Sequence, residues 1–215
     1  FGGVYRLRAS QLAERREFVL EMAGLKGRER QLARDLAGGW RQRLALGCAI
    51  LHQPAILFLD EPTGGVDPLS RRQFWALIDM LAASGVTVLV TTHYLDEAER
   101  CHRVALIHAG RIATIGTTTE VKRIFAGRPI VEVRSSRPVD AMRALDRMPE
   151  VEKTSLFGTA VHAVLRREGV TPEALAGQVR AAGIDVESAG RVSPSLEDVF
   201  LDVVETAERA RGSAA

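Results

Sequence analysis

Residues 56–63 have the sequence ILFLDEPT. A short, almost wholly apolar run that follows Pro54 is typical of a strand buried on both faces, as in a parallel sheet. Two acids, Asp60 and Glu61, come directly after the apolar residues. Ligands of open α/β sheets bind just beyond the carboxyl ends of the strands. The stretch therefore predicts a buried strand that ends at a candidate ligand site.

The elements around this strand predict an α/β domain. A second buried strand is expected at residues 86–91 (VTVLVT), because its residues are apolar or β-branched. Strands and helices alternate up to about residue 120, which is typical of a mostly parallel sheet. The remaining expected elements are helices at 9–24, 40–53, 70–83, 96–100 and 117–125, and a hairpin of 104–108 with 111–115.

The pattern changes after Gly127. The order strand, helix, strand, strand, helix, strand is that of a ferredoxin-like module. A last helix is expected from Ser195 to about Ala210, capped by Ser195 or Ser193. The predicted domains are therefore 1–125 and 126–210, followed by a disordered tail at 211–215. The expected elements of the module are strands at 130–135, 151–157, 160–166 and 184–192, and helices at 139–148 and 171–182.

Composition narrows the classes of function. Lys and Arg total 29 and Asp and Glu total 27, so the net charge of +2 gives no argument for a nucleic-acid partner or an acidic membrane. Two cysteines do not suggest a disulfide framework. No apolar run approaches the roughly 18 residues that a membrane helix needs. The chain begins FGGVY, without an initiator Met, and we expect a truncated N-terminus.

The acidic pair suggests metal-assisted chemistry. An acid at a strand end can hold Mg²⁺ through water, since Mg²⁺ prefers carboxylates and retained waters. We assign this role to Asp60, and we expect Glu61 to orient or deprotonate an attacking water. Taken alone, the pair is equally compatible with a strand followed by a polar turn.

Three further motifs accompany the acids. Gly38 and Gly39 begin a helix in LAGGWRQR (36–43), where backbone N–H groups and the helix dipole favour an anion. His93 follows the second strand and could contact a phosphate or the attacking water. The sequence GGVDP (64–68) forms a loop after the acids. Individually, these motifs are also compatible with a glycine turn, a structural histidine and a surface turn.

In this order and at these spacings, the motifs resemble the nucleotide-binding domain of ABC transporters, over residues 1 to about 125. On this resemblance, residues 36–40 correspond to the signature motif LSGGQ, and residues 56–60 to the Walker B strand. Glu61 corresponds to the catalytic base, residues 64–67 to the D-loop, and His93 to the switch histidine. The fold implied is part of a P-loop NTPase domain with a parallel sheet.

Two signature positions depart from the family pattern. Ala37 replaces the serine whose hydroxyl contacts the γ-phosphate of ATP held by the opposite subunit, and Trp40 replaces the glutamine. Losing one hydrogen bond to a charged group costs about 1.5–3 kcal/mol. The two glycine amides remain, so the resemblance implies weaker but surviving recognition. For Trp40 we expect a packing role.

The resemblance also implies cofactors and partners. ATP and Mg²⁺ would lie between two nucleotide-binding domains paired head to tail. The signature segment would face the γ-phosphate in trans, through Leu36, Ala37, Gly38, Gly39 and Trp40. Asp67 would link the two nucleotide sites. Asp60 would hold Mg²⁺, Glu61 would polarise water and His93 would sense the γ-phosphate.

The implied function is ATP hydrolysis that energises export through a separate membrane permease. The implied location is cytoplasmic, peripheral on the inner face of the cell membrane.

A phosphate-binding loop of the form G-x-x-x-x-G-K-[ST] is missing from the sequence. We therefore expect a fragment that cannot hydrolyse ATP alone. Residues 127–210 resemble the appended domain of ATPases of the daunorubicin-resistance type, with PSLEDVF (194–200) as the matching segment. Two other functions stay open: a non-transport ABC ATPase, such as a translation or DNA-repair factor, and a non-enzymatic interaction fragment.

Overall fold

The computed structural model describes residues 2–212. The chain forms two compact units, which meet in the sequence between His93 and Tyr94. The domain boundary expected after residue 125 stays a prediction. Of the tail expected to be disordered, Arg211 and Gly212 continue the last helix, and residues 213–215 lie outside the described residues.

The first unit contains a parallel strand pair and three helices within its described residues. The two strands, expected at 55–60 and 86–91, pair in parallel with Ile56 opposite Thr87 and Asp60 opposite Thr91. A short 3₁₀ turn, Ala33–Asp35, precedes the second helix. The helices and the parallel pairing confirm the sequence prediction. The elements are α1 (Ala9–Met22), α2 (Gly38–Ile50), β1 (Ile56–Asp60), α3 (Pro68–Ala83) and β2 (Thr87–Thr91).

The prediction that β1 and β2 are buried on both faces is wrong for this structure. Leu57 is buried, but Phe58 is 71% exposed and Leu89, on β2, is 57% exposed. Successive side chains of a strand point to opposite faces. Helix α3 packs on β2, and its inward residues Phe74 and Ile78 are buried. One face of the pair is therefore apolar and exposed, although its composition is that of a buried strand.

Glycines allow the helices of this unit to approach closely. A Cβ atom at Gly47 of α2 would lie 2.3 Å from Cγ1 of Val19, so α1 and α2 can pack as they do only with glycine there. Gly24, at φ 66°, ends α1. The N–H of Leu25 then donates to the Leu20 carbonyl at 2.7 Å, as in helix ends closed by a left-handed glycine.

The second unit combines a hairpin, a four-stranded sheet and the long C-terminal helix. Thr117 and Glu120 form a capping box on α5. Thr171 caps α7, with Pro172 in its first turn, as expected. The elements are α4 (Leu95–Ala98), β3 (Val104–His108), β4 (Arg111–Gly116), α5 (Thr118–Lys122), β5 (Ile130–Arg134), α6 (Pro138–Leu145), β6 (Val151–Phe157), β7 (Ala160–Leu165), α7 (Pro172–Ala181), β8 (Ser188–Val192) and α8 (Leu196–Gly212).

The sheet confirms the ferredoxin-like prediction. Its strand order is β6-β7-β5-β8 and its pairs are antiparallel. Helices α6 and α7 cover one face, where Val131, Leu145 and Leu175 are fully buried. Strand β8 begins at Ser188, four residues later than expected. The carbonyl of Val186 accepts from the Arg180 side chain at 3.0 Å, so this residue is tied to α7.

Helix α8 lies on the other face of this sheet together with the β3–β4 hairpin and α5. Leu196 and Val199 are fully buried there against Val164 and Phe125. Ser195 caps α8, because its Oγ accepts from the Asp198 N–H at 3.1 Å. Of the two caps left open by the sequence, Ser195 is therefore the correct one. No helix among residues 2–212 is both long and apolar enough to cross a bilayer.

Candidate functional site

The acidic pair lies where the parallel strands end. Asp60 is the last residue of β1 and faces Thr91, the last residue of β2. Glu61 follows β1 directly, and His93 follows β2 by two residues. Asp60, Glu61 and His93 are all exposed. The structure therefore brings these three predicted site residues together at the carboxyl edge of the strand pair, open to solvent.

Glu61 and His93 are joined by a short hydrogen bond. Nδ1 of His93 lies 2.7 Å from Oε2 of Glu61, and the two side chains are 63% and 44% exposed, respectively. Glu61 has φ 44°, the left-handed region that residues with a side chain seldom adopt. Its N–H donates to both the carbonyl and the hydroxyl oxygen of Thr91, each at 3.1 Å. These bonds hold the strained backbone and direct the Glu61 side chain toward His93.

Asp60 is held by the neighbouring strand. The hydroxyl of Thr91 donates to Oδ1 of Asp60. Among the described residues, no group of three or more His, Cys, Asp or Glu side chains could enclose a metal ion. The expectation for Asp60 needs no such group, because Mg²⁺ commonly takes one or two carboxylates, keeps its waters and binds substrate phosphates. An exposed carboxylate at a strand end fits that mode of binding.

The diglycine sequence begins α2, as the motif predicts. The carbonyl of Ala37 accepts from the N–H groups of Trp40 and Arg41 at 3.0 and 3.1 Å, which closes the first helical turn. A Cβ atom at Gly38 would meet nothing within 4 Å, so the approach to this residue is open. At Gly39 a Cβ atom would lie 2.4 Å from Oγ of Ser70 on α3. Gly38 is therefore accessible, whereas Gly39 is needed for helix packing.

Leu36 and Trp40 make packing contacts in this structure, and their expected contact with a γ-phosphate in trans stays a prediction. Leu36 is buried with Ala23 and Leu25, and Trp40 packs against the same cluster. The guanidinium carbons of Arg28 and Arg43 lie 4.7 and 4.2 Å from the Trp40 ring centre, within the range of cation–π attraction. The packing role expected for Trp40 agrees with these contacts. They hold the helix start against the loop after α1.

Asp67 caps α3. Its Oδ1 accepts from the Ser70 N–H at 3.0 Å, and Pro68 occupies the first turn. The Ser70 hydroxyl and N–H both donate to the carboxylate and hold the pKa of Asp67 below its usual value. This capping role is not among the predictions for Asp67, although Asp followed by Pro is a recognisable helix start. The link to a second nucleotide site stays a prediction for Asp67.

A parallel strand pair with acids at its carboxyl end and a glycine-led helix start is typical of one class of protein, the α/β nucleotide-binding domains. Comparisons with known proteins agree. The family model described as ABC transporter matches residues 5–64, and the model for the C-terminal domain of DrrA1-3-like ATP-binding proteins matches residues 116–204.

Individual relatives give the same result. The chain is 36% identical to the daunorubicin resistance ATP-binding protein DrrA3 of Streptomyces coeruleorubidus, over 100% of this chain and 68% of the relative. It is 48% identical to the probable multidrug ABC transporter ATP-binding protein YbhF of Escherichia coli K12, over 57% of this chain and 21% of the relative. The chain thus spans only about a fifth of YbhF.

A solved structure described as the ATP-binding subunit of an ABC transporter matches with a TM-score of 0.51 and 28% identity. The match covers 58% of this chain and 52% of that chain. This chain belongs to the family of ABC transporter ATP-binding proteins.

Proposed function

We propose that these residues form the signature- and acid-bearing part of an ATP-hydrolysing subunit that energises export through a separate membrane permease. The observation that carries the proposal is the constellation at the ends of β1 and β2. Asp60 and Glu61 are adjacent and exposed there, and His93 binds the Glu61 carboxylate at 2.7 Å. The names of the relatives, which refer to multidrug transport and daunorubicin resistance, support export of small molecules.

Each residue of the constellation has a distinct task. ATP with Mg²⁺ supplies a γ-phosphoryl group that is open to attack by water when the developing charge is neutralised. Asp60 would hold a Mg²⁺ ion through the waters that the ion retains. Oε1 of Glu61 accepts the proton of the attacking water, while Oε2 is engaged by Nδ1 of His93. His93 thereby orients the base, and we propose that it also senses the γ-phosphate.

The signature segment at residues 36–40, which leads into α2, serves the opposite half of a head-to-tail pair. Backbone N–H groups at a helix start, with the positive end of the dipole, favour phosphate oxygens. The open approach at Gly38 fits this role. Ala37 offers no hydroxyl, so recognition rests on the backbone. Asp67, at the start of α3, would join the two sites across the pair.

The sequence lacks a G-x-x-x-x-G-K-[ST] loop, so residues 1–215 by themselves should bind nucleotide poorly. We propose that the subunit acts at the cytoplasmic face of the membrane, bound to a permease and to a second nucleotide-binding domain. The partition into an ATPase part at 1–125 and an accessory domain at 126–210 belongs to this proposal. We propose that the accessory domain serves subunit contact or regulation and not RNA recognition, since it has few aromatic residues.

Glu61→Gln in the complete subunit tests the proposal. The amide keeps the hydrogen bond to His93 but cannot accept the proton of water. We expect ATP turnover to fall at least 100-fold, the range that a general base contributes, and an ATP-dependent dimer to accumulate on size-exclusion chromatography. Glu173→Gln, an exposed acid on α7, is the control and should behave as the unchanged protein. Turnover of Glu61→Gln at the parental rate would show that Glu61 is not the base.

A further inference from the structure

One hydroxyl group contacts both acids of the site. Thr91 ends β2 and stands opposite Asp60 in the parallel pair. Its Oγ1 donates a hydrogen bond to Oδ1 of Asp60 and accepts one from the N–H of Glu61 at 3.1 Å. The resemblance assigns no function to this position. A valine there would satisfy the strand equally well, because both residues are β-branched.

The hydrogen bonds of the Thr91 hydroxyl explain two features of the site that strand pairing alone does not explain. First, the single hydroxyl proton is directed at Oδ1 of Asp60, which fixes the rotation of that carboxylate and leaves Oδ2 for other ligands. Second, Glu61 is in the left-handed region at φ 44°, a conformation that persists in folded proteins only when its surroundings impose it. The N–H of Glu61 is bound by both Thr91 oxygens, and this double contact supplies the constraint.

We propose that Thr91 is a positioning residue for the reaction: its hydroxyl sets the carboxylate of Asp60 for the metal ion and the backbone of Glu61 for the attacking water. This inference rests on the proposed function. The contact of His93 with Glu61 follows from the same backbone, because Oε2 reaches Nδ1 only when the Glu61 side chain leaves the strand in this direction. Thr91 thus acts through Asp60 and Glu61 and need not touch the nucleotide.

Two substitutions separate the hydroxyl from the shape of the side chain. Thr91→Val keeps the volume and the β-branch but removes the donor to Asp60 and one acceptor of the Glu61 N–H. Thr91→Ser keeps the hydroxyl and should rescue function. Thr87→Val is the matched control, because Thr87 lies on the same face of β2 at the opposite end, paired with Ile56.

The measurements are kcat and KM for ATP in the complete subunit, and the affinity of its nucleotide complex for Mn²⁺ by electron paramagnetic resonance. For Thr91→Val we expect kcat to fall about 10- to 100-fold, which is the effect of losing one hydrogen bond to a charged group. KM for ATP should stay within about twofold, because a residue that acts through Asp60 and Glu61 leaves nucleotide binding itself unchanged. Mn²⁺ affinity should fall by about 10-fold. Thr91→Ser and Thr87→Val should match the unchanged protein within about threefold.

The outcomes are distinct. Equal kcat and Mn²⁺ affinity for Thr91→Val and the unchanged subunit would overturn the inference and leave the proposed function standing. A loss of kcat in Thr91→Ser as large as that in Thr91→Val would also overturn the inference. So would a fall in the melting temperature of Thr91→Val with kcat and Mn²⁺ affinity unchanged, because a purely structural role predicts either result. If Thr91→Val does not fold, Thr91→Ala provides the same comparison. An unchanged subunit that fails to hydrolyse ATP would contradict the proposed function itself, and the inference with it.

Discussion

The contact between His162 and Asp198 lets us predict how the stability of the second unit depends on pH. Nδ1 of His162 lies 2.8 Å from Oδ1 of Asp198, and the two side chains are 10% and 2% exposed. Oδ2 of Asp198 also accepts from the N–H and hydroxyl of Ser195, at 2.8 and 2.7 Å. His162 lies on β7 and Asp198 in the first turn of α8. The pair therefore fastens the helix to the sheet.

The groups around the imidazole determine its charge. Burial lowers the pKa of His162, but the hydrogen bonds and charges of Asp198 and Glu132 outweigh burial and raise it above its ordinary value. Glu132 of β5 lies 3.4 Å from Nε2 of His162 and is itself paired with Arg134. The Phe157 ring of β6 stacks on the imidazole at 4.1 Å. The imidazole is thus enclosed by two carboxylates and an aromatic ring.

The direction of the pH dependence follows. The pKa of His162 is higher in the folded than in the unfolded state, so the charged imidazole stabilises the unit. This stabilisation is fully present below the unfolded-state pKa of about 6.5, and it is lost as pH rises through the folded-state pKa. Burial raises the pKa of Asp198, but His162 and the Ser195 N–H more than offset this and lower it overall. The stabilisation from the Asp198 carboxylate is therefore present above about pH 4, and it is lost as pH falls through the lowered folded-state pKa of Asp198.

Asp198→Asn tests this account. Removing one partner of a buried ion pair costs about 3–5 kcal/mol, and we expect the lower end because Glu132 still faces His162. A loss of about 3 kcal/mol corresponds to roughly a 100-fold fall in amide protection. Both tryptophans, Trp40 and Trp75, belong to the first unit. The second unit is therefore followed directly, by hydrogen–deuterium exchange at the amides of β7 and α8.

Exchange should be compared with that of the unchanged protein at pH 5.5 and at pH 8.5. The loss should be largest at pH 5.5, where His162 is charged, and should shrink at pH 8.5. Glu197→Gln changes an exposed acid in the same helical turn and should alter protection by less than about threefold. An equal loss for Asp198→Asn at both pH values would refute the charge pairing, and a loss below threefold would refute the fastening role.

Three further predictions concern the first unit and the chain as a whole. Gly39→Ala should lower the free energy of unfolding by about 1–3 kcal/mol in a denaturant titration, because the new Cβ would collide with Ser70. Gly38→Ala is the control and should change this free energy by less than about 0.5 kcal/mol, because a Cβ atom at Gly38 would meet nothing within 4 Å. Trp40→Ala should cost about 3 kcal/mol through lost packing and cation–π contacts, and Trp40→Phe clearly less, measured by thermal unfolding. Residues 1–215 alone should release no phosphate from ATP, and measurable turnover would show that a phosphate-binding loop is unnecessary.

Much of the fold follows from local signals in the sequence. Thr171 and Pro172 mark the start of α7, and Gly24 marks the end of α1, because caps and glycine stops act within one helical turn. The ferredoxin-like order follows from the succession of elements alone. The placement of Asp60 and Glu61 at a strand end is likewise local, since both acids follow an apolar run directly.

Other features depend on how distant segments meet. The double contact of Thr91 with the acids exists only because β1 and β2 pair with Asp60 opposite Thr91, and their local patterns do not specify this register. Asp198 likewise finds His162 only when α8 lies across the sheet. The exposure of Phe58 contradicts the burial that its composition predicts, because burial depends on what packs over a face and not on the residues in it. The elements and their chemical groups can be predicted from the sequence, since those depend on neighbouring residues. Which groups touch is set by tertiary packing, because those contacts join residues about thirty positions or more apart.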